Sequence, residues 1–187
     1  MKVLIAYATT EGQTRKIAEK VAKHIHELGH VAELVDMERG HHSINVDDFN
    51  AVIVAASVHQ HDYQDVIEVF VTACRSILNA KPTMFLSVSL SAAFEEGLSE
   101  AKECIGKFIE QTGWRPSVSL PVAGALRNEA YDYFQQQILQ YEVLKNRMVD
   151  HPEQDHEFTD WKALADAVEA FVKVIPSPNV NTNVPDK

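Results

Sequence analysis

The sequence has little cysteine and no long hydrophobic run. Its 187 residues include two cysteines, Cys74 and Cys104, and neither belongs to a CxxC pair. Two separate cysteines cannot build a disulfide framework, which indicates a reducing compartment, and we expect a cytoplasmic protein. Apolar runs such as residues 51–56 are much shorter than the roughly 18 residues that a membrane span requires. We therefore expect no transmembrane segment.

Positive charge is also scarce. Lysine and arginine number 17 against 27 aspartates and glutamates, which gives a formal net charge of −10. Nucleic acids and anionic membrane surfaces attract basic proteins, so this balance argues against nucleic-acid binding and against membrane association.

Apolar strands alternate with amphipathic helices along the chain. The predicted strands are residues 3–7, 31–35, 51–56, 83–90 and 118–123. Apolar stripes at helical spacing predict helices within residues 17–28, 65–78, 98–109 and 161–175. Thr159 is the predicted N-cap of the last helix. This alternation predicts an open, doubly wound parallel α/β sheet.

The length predicts one domain at about 150 residues per domain. We place it at residues 1–175, with residues 128–157 as an insertion before the last helix. Residues 176–187 are rich in proline and asparagine, and we expect a disordered tail there.

The loop after the first strand has the composition of an anion site. Thr9, Thr10 and Thr14 supply three hydroxyls, and Gly12 allows a sharp turn into the following helix. Backbone N–H groups and the positive end of the helix dipole would then face the anion. In the alternative interpretation the threonines only cap the helix. Three hydroxyls around one glycine favour a phosphate site.

Other ligands of doubly wound folds fit this loop poorly. It contains a single glycine and no GK[ST] sequence, which excludes the dinucleotide fingerprint and the P-loop. It has no cysteine nucleophile, which a phosphatase of this architecture needs. The third strand ends at Ser57, where a receiver domain needs an acidic residue.

Several segments resemble a known family. Tyr7-x-Thr9-x-x-Gly12-x-Thr14 resembles the FMN-phosphate signature of flavodoxins. Residues 53–58, 87–90, 114–116, 123–127 and 159–161 resemble, in order and spacing, the flavodoxin-domain, menaquinone-dependent protoporphyrinogen oxidases. The resemblance extends to about residue 175. It implies a flavodoxin-like three-layer α/β sandwich whose five parallel strands have the order 2-1-3-4-5.

The same resemblance implies non-covalently bound FMN at the ends of the first, third and fourth strands. It implies no side chain as a nucleophile, because the flavin carries the redox chemistry. The residues implied for the phosphate are Thr9, Thr10, Glu11, Gly12, Gln13 and Thr14. Those implied for the two sides of the isoalloxazine ring are Ser57, Val58, His59 and Gln60, and Ser89, Leu90 and Ser91.

The function implied is an FMN-dependent oxidoreductase that passes electrons from a reduced small molecule to a quinone-like acceptor. The chain departs from that oxidase branch at His59-Gln60-His61, where the branch has Arg, Tyr and Gly. It also departs in residues 128–157, which hold seven acidic and two basic residues where the oxidases are basic. Two alternatives remain: an electron carrier that docks protein partners through an acidic rim, and a non-redox module that binds another phosphorylated ligand.

Metal binding is not expected. His59 and His61 would lie on one side of an extended segment, but no carboxylate or cysteine stands at ligand spacing beside them.

Overall fold

A computed structural model of the chain describes residues 1–39, 44–59, 61–126 and 155–175. Five parallel strands form one sheet in the order β2-β1-β3-β4-β5. The strands are β1 Lys2–Ala8, β2 Val31–Asp36, β3 Ala51–Ser57, β4 Thr83–Ser89 and β5 Val118–Ala123. The helices are α1 Gln13–Glu27, α2 Asp65–Ala73, α3 Arg75–Asn79, α4 Leu98–Thr112 and α5 Trp161–Lys173. The predicted fold class and strand order are confirmed.

Helices cover both faces of the sheet. Residues of α1 and α5 pack on one face, and residues of α2, α3 and α4 pack on the other. Strands β1, β3 and β4 lie inside the sheet and are buried on both faces, which explains their nearly continuous apolar sequences. Strand β2 is an edge strand: its first four residues alternate between exposed and partly buried, and Val35 is buried.

Two local predictions need adjustment. The helix predicted over residues 65–78 is divided into α2 and α3 at Cys74, while Val71 and Leu78 stay in one apolar cluster. The polar sequence of residues 37–48 predicts a loop, and the described parts of it contain two short 3₁₀ turns, Met37–Arg39 and Val46–Asp48.

The predicted N-cap of the last helix is wrong. Asp160 caps α5, because its side chain accepts a hydrogen bond of 2.9 Å from the Ala163 N–H. The hydroxyl of Thr159 instead donates to the carbonyl oxygen of Ala123 at 2.7 Å. The Thr159 hydroxyl therefore bonds to the end of β5 and not to the first turn of α5.

A short antiparallel ladder closes the segment that we predicted as an insertion. Ala125–Leu126 (β6) pairs with His156–Glu157 (β7), and the Phe158 N–H donates to the carbonyl of Gly124. Residues 128–154 and the predicted tail 176–187 lie outside the described residues. The domain assignment therefore stays a prediction.

None of the helices in the described part of the chain combines the length and the apolar character needed to cross a lipid bilayer.

Candidate functional site

The loops after four strands meet at the carboxyl edge of the sheet and enclose a cavity of about 80 Å³. Most of the predicted site residues line it: Thr9, Thr10, Glu11, Gln13, Thr14, Ser57, Val58, His59, Ser89 and Leu90. Gly12 and Ser91 are not among the lining residues, and Gln60 is outside the described residues. The volume holds several water molecules or one tetrahedral anion, but not a whole nucleotide.

The loop after β1 turns sharply at Gly12, which has a φ of 86°. That backbone conformation favours glycine, because a β-carbon there crowds the following carbonyl. The Thr9 hydroxyl accepts a hydrogen bond of 2.9 Å from the Gly12 N–H, and no side chain caps α1. This bond closes the turn before the helix, so the alternative in which the threonines serve only as helix caps is not supported.

The first helical hydrogen bond of α1 runs from the Lys16 N–H to the Gly12 carbonyl at 3.1 Å. The N–H groups of the first turn precede that bond and therefore point out of the helix end. They carry the positive end of the helix dipole, so this end of α1 attracts negative charge.

Thr14 is the most informative side chain of the cavity. The residue is 1% exposed, and its buried hydroxyl oxygen has no hydrogen-bond partner among the residues that the structure describes. A buried hydroxyl in this condition costs about 1–3 kcal/mol, so natural proteins rarely keep one without a reason. A ligand oxygen in the cavity would supply the partner.

The loop after β3 forms a tight turn. His59 and Asp62 exchange two backbone hydrogen bonds of 2.8 and 3.1 Å, and His61 has a φ of 70°. The predicted extended segment with His59 and His61 on one side is therefore wrong. Nδ1 of His61 lies 3.3 Å from a carboxylate oxygen of Glu100. No three potential metal ligands come together anywhere in the described ranges.

Two side chains hold the base of this turn. The Tyr63 hydroxyl lies 2.8 Å from the Ser87 hydroxyl, and burial raises the pKa of Tyr63 strongly, so the phenol stays neutral. The Gln64 amide donates to the hydroxyls of Thr10 and Ser57. Gln64 thus links the loop after β1 to the end of β3.

A more open hollow of about 560 Å³ adjoins the cavity and shares Thr10 and His59 with it. Its wall carries the carboxylates of Glu38, Asp62 and Asp65. This side of the site therefore has an acidic rim, which attracts cationic partners and repels anionic ones.

One protein-family model matches most of the chain. Residues 4–151 match the model of the flavodoxin domain family. The chain belongs to the flavodoxin domain family. The predicted resemblance is thereby confirmed.

Named relatives of this flavodoxin domain are enzymes. The chain is 26% identical to protoporphyrinogen IX dehydrogenase (quinone) of Escherichia coli strain K12, with 96% of this chain and 99% of the relative aligned. It is 27% identical to a protein of the same name from Leishmania major, with 97% of this chain and 80% of the relative aligned.

Solved flavodoxins share the fold at lower identity. Oxidised flavodoxin 1 from Bacillus cereus superposes with a TM-score of 0.58 at 16% identity, covering 94% of this chain and 100% of that one. A Fusobacterium nucleatum flavodoxin bound to flavin mononucleotide gives a TM-score of 0.52 at 12% identity, covering 94% and 99%.

The flavodoxin-domain cavity also includes residues that the sequence does not predict. Val88, Gly124 and Ala125 also line it. Gly124 directly follows β5. The site lies at the carboxyl ends of the strands, so the end of the predicted fifth strand is the signal that points to Gly124. Nothing local in the sequence marks Gln64 or Thr159, because their partners lie on distant segments.

Proposed function

We propose that this chain binds FMN non-covalently and acts as an FMN-dependent oxidoreductase of the protoporphyrinogen oxidase type. The observation that carries the proposal is the buried, unpartnered hydroxyl of Thr14 in a cavity at the N-terminus of α1. A phosphate oxygen there would satisfy the hydroxyl and would face the positive end of the helix dipole.

The proposed phosphate residues are those of the loop after β1, from Thr9 to Thr14. Their backbone and hydroxyl groups hold the anion without a lysine or arginine among them. The proposed ring residues are on either side of the mouth: Ser57, Val58, His59 and Gln60, and Ser89, Leu90 and Ser91. The bound flavin supplies hydride or electron transfer, and the protein supplies its position and its electrostatic surroundings.

The names of the relatives support the enzymatic part of the proposal. Both are called protoporphyrinogen IX dehydrogenase (quinone), and both align with nearly all of this chain. We infer that electrons pass from a reduced small molecule to a quinone-like acceptor. The open hollow at Thr10 and His59 would leave the ring accessible to such molecules.

The acidic rim favours a second candidate function. Glu38, Asp62 and Asp65 would repel a dianionic porphyrin and would attract a basic docking surface on a redox protein. A flavodoxin-type electron carrier is therefore the alternative.

A cofactor titration and a turnover assay test these functions. Purified protein, stripped of ligand, is titrated with FMN while flavin fluorescence is followed, and the ligand released from native protein is identified by mass spectrometry. Protein that neither contains nor binds FMN would leave only a non-redox binding module. Turnover of protoporphyrinogen with a quinone supports the enzyme, and reduction by a reductase without such turnover supports the carrier.

Two glycine variants separate cofactor binding from stability. Gly12 and Gly29 both have positive φ, 86° and 81°, and a β-carbon at either position would meet no atom beyond the glycine and its chain neighbours within 4 Å. Gly12→Val and Gly29→Val should therefore be destabilised to a similar extent. Only Gly12→Val should lose FMN, because only Gly12 belongs to the phosphate loop. Equal FMN retention in the two variants would contradict the proposed site.

A further inference from the structure

Thr159 connects the first helix to the last strand of the sheet. The residue is 8% exposed and lies between β7 and α5. Its hydroxyl oxygen is 2.7 Å from the Ala123 carbonyl oxygen and 2.9 Å from the side-chain nitrogen of Gln13. Gln13 and Thr159 are 146 residues apart in the chain, so this contact forms only in the folded protein.

The chemistry of these groups determines the direction of both hydrogen bonds. A backbone carbonyl can only accept, so Thr159 donates its single hydroxyl proton to Ala123. The hydroxyl oxygen then accepts, and Gln13 must present its amide nitrogen to it. The orientation of the Gln13 amide therefore follows from its partner and not from an arbitrary choice between nitrogen and oxygen.

Gln13 is placed where its orientation affects the cavity. It is the first residue of α1, it is 5% exposed, and it lines the cavity with Thr14. Its backbone N–H belongs to the first turn, which precedes the first helical hydrogen bond. A contact that fixes Gln13 therefore also fixes part of the amide array at the anion end of α1.

The hydroxyl of Thr159 is not needed to hold its own segment. The preceding residue, Phe158, donates its N–H to the Gly124 carbonyl, and β7 pairs with β6. The following residue, Asp160, caps α5. The bonds of Phe158 and β7 reach the cavity at Gly124 and Ala125, whereas the bond from Gln13 reaches it at the N-terminus of α1, where the phosphate is proposed to bind.

We infer that Thr159 is a positioning residue for the cofactor phosphate, acting through Gln13, although it does not line the cavity itself. The inference rests on the proposed function, in which FMN occupies this site. It assigns a role in cofactor affinity to the segment that follows β7 and leads into α5.

Two flavins distinguish this role from a merely structural one. FMN and riboflavin differ only in the phosphate, so a defect at the phosphate end weakens FMN binding alone. For Thr159→Val we expect the FMN Kd to rise about tenfold, the equivalent of 1.4 kcal/mol, and the riboflavin Kd to stay unchanged. Thr159→Ser keeps the hydroxyl and should retain the FMN affinity of the wild type. Both constants are measured by quenching of flavin fluorescence on ligand-free protein.

Asp160→Ala is the matched control. It removes the helix cap next to Thr159, so it should lower the melting temperature and leave the ratio of the two Kd values at the wild-type level. If Thr159→Val does not fold, Thr159→Ala takes its place, because alanine removes the hydroxyl and adds no bulk.

Equal loss of FMN and riboflavin affinity in Thr159→Val would overturn the inference, as would unchanged affinity for both. Loss of FMN affinity in Thr159→Ser would also contradict it. A wild-type protein that ignores FMN would overturn the proposed function itself, and this outcome is distinct because it appears before any variant is compared.

Discussion

Replacing Thr14 by valine should change the stability of the FMN-free protein and its affinity for FMN in opposite directions. The two side chains have nearly the same shape, and the Thr14 hydroxyl is buried without a partner. Valine removes that cost, so we expect the free energy of unfolding to rise by about 1 kcal/mol. For a chain of this size the melting temperature should increase by roughly 2–4 °C.

The effect on FMN follows from the same hydroxyl. A hydrogen bond to a charged group is worth about 1.5–3 kcal/mol, and valine cannot form one with the phosphate. The FMN Kd should therefore rise roughly 10- to 150-fold. The assays are thermal unfolding of ligand-free protein and titration with FMN at constant ionic strength.

Thr112 provides the matched control. It is also 1% exposed, but its hydroxyl donates to the Phe108 carbonyl at 2.7 Å, and it lies at the end of α4. Thr112→Val should lower the melting temperature and leave the FMN Kd unchanged. Full FMN affinity in Thr14→Val, or a melting temperature below that of the wild type, would refute the reasoning.

Three further predictions concern the surroundings of the cavity. His61→Gly should raise the free energy of unfolding by about 1 kcal/mol in a urea titration, because it relieves the φ of 70°; a loss of stability would contradict this. Glu38→Gln should lower the FMN Kd about two- to fivefold at low salt and less at high salt. A Glu38 carboxylate oxygen lies 3.4 Å from the backbone nitrogen of Thr9, so its negative charge would repel the phosphate, and salt screens this repulsion. Burial raises the pKa of Tyr63 above its usual value near 10, so the phenol ionises more readily in the unfolded chain, and stability falls as the pH rises above 10. In Tyr63→Phe that alkaline decline should be shallower, by up to about 1.4 kcal/mol per pH unit, in unfolding curves measured at successive pH values; identical slopes would exclude Tyr63 as the cause.

The local sequence pattern is sufficient to predict the strands of the sheet and the ends of some helices. Strand β5, Val118–Ala123, has the predicted bounds, because its apolar residues are flanked by turn-forming ones. A glycine after the apolar stripe of α4 predicts that the helix ends near residue 113, and Gly113 has the left-handed φ of 66° that is common just after a helix C-terminus. These features depend on neighbours within a few residues, which a single sequence shows directly.

The same pattern does not predict contacts between segments that are distant in the sequence. A threonine before a helix is a reasonable N-cap, but the Ala123 carbonyl competes for the Thr159 hydroxyl, and only the folded sheet brings them together. The turn at His61 was predicted as extended, because no glycine marks the positive φ there. The cytoplasmic location and the role of Gln60 stay predictions.

The β6–β7 ladder makes the region between Leu126 and His156 replaceable. Both ends of that region are fastened to each other beside the sheet, and the cost of closing a loop grows only slowly with its length. Related chains could therefore exchange this stretch for a shorter, longer or oppositely charged one without rebuilding the five-stranded scaffold. Exchanging this stretch would be a way to change which partners the protein binds without altering the five-stranded sheet.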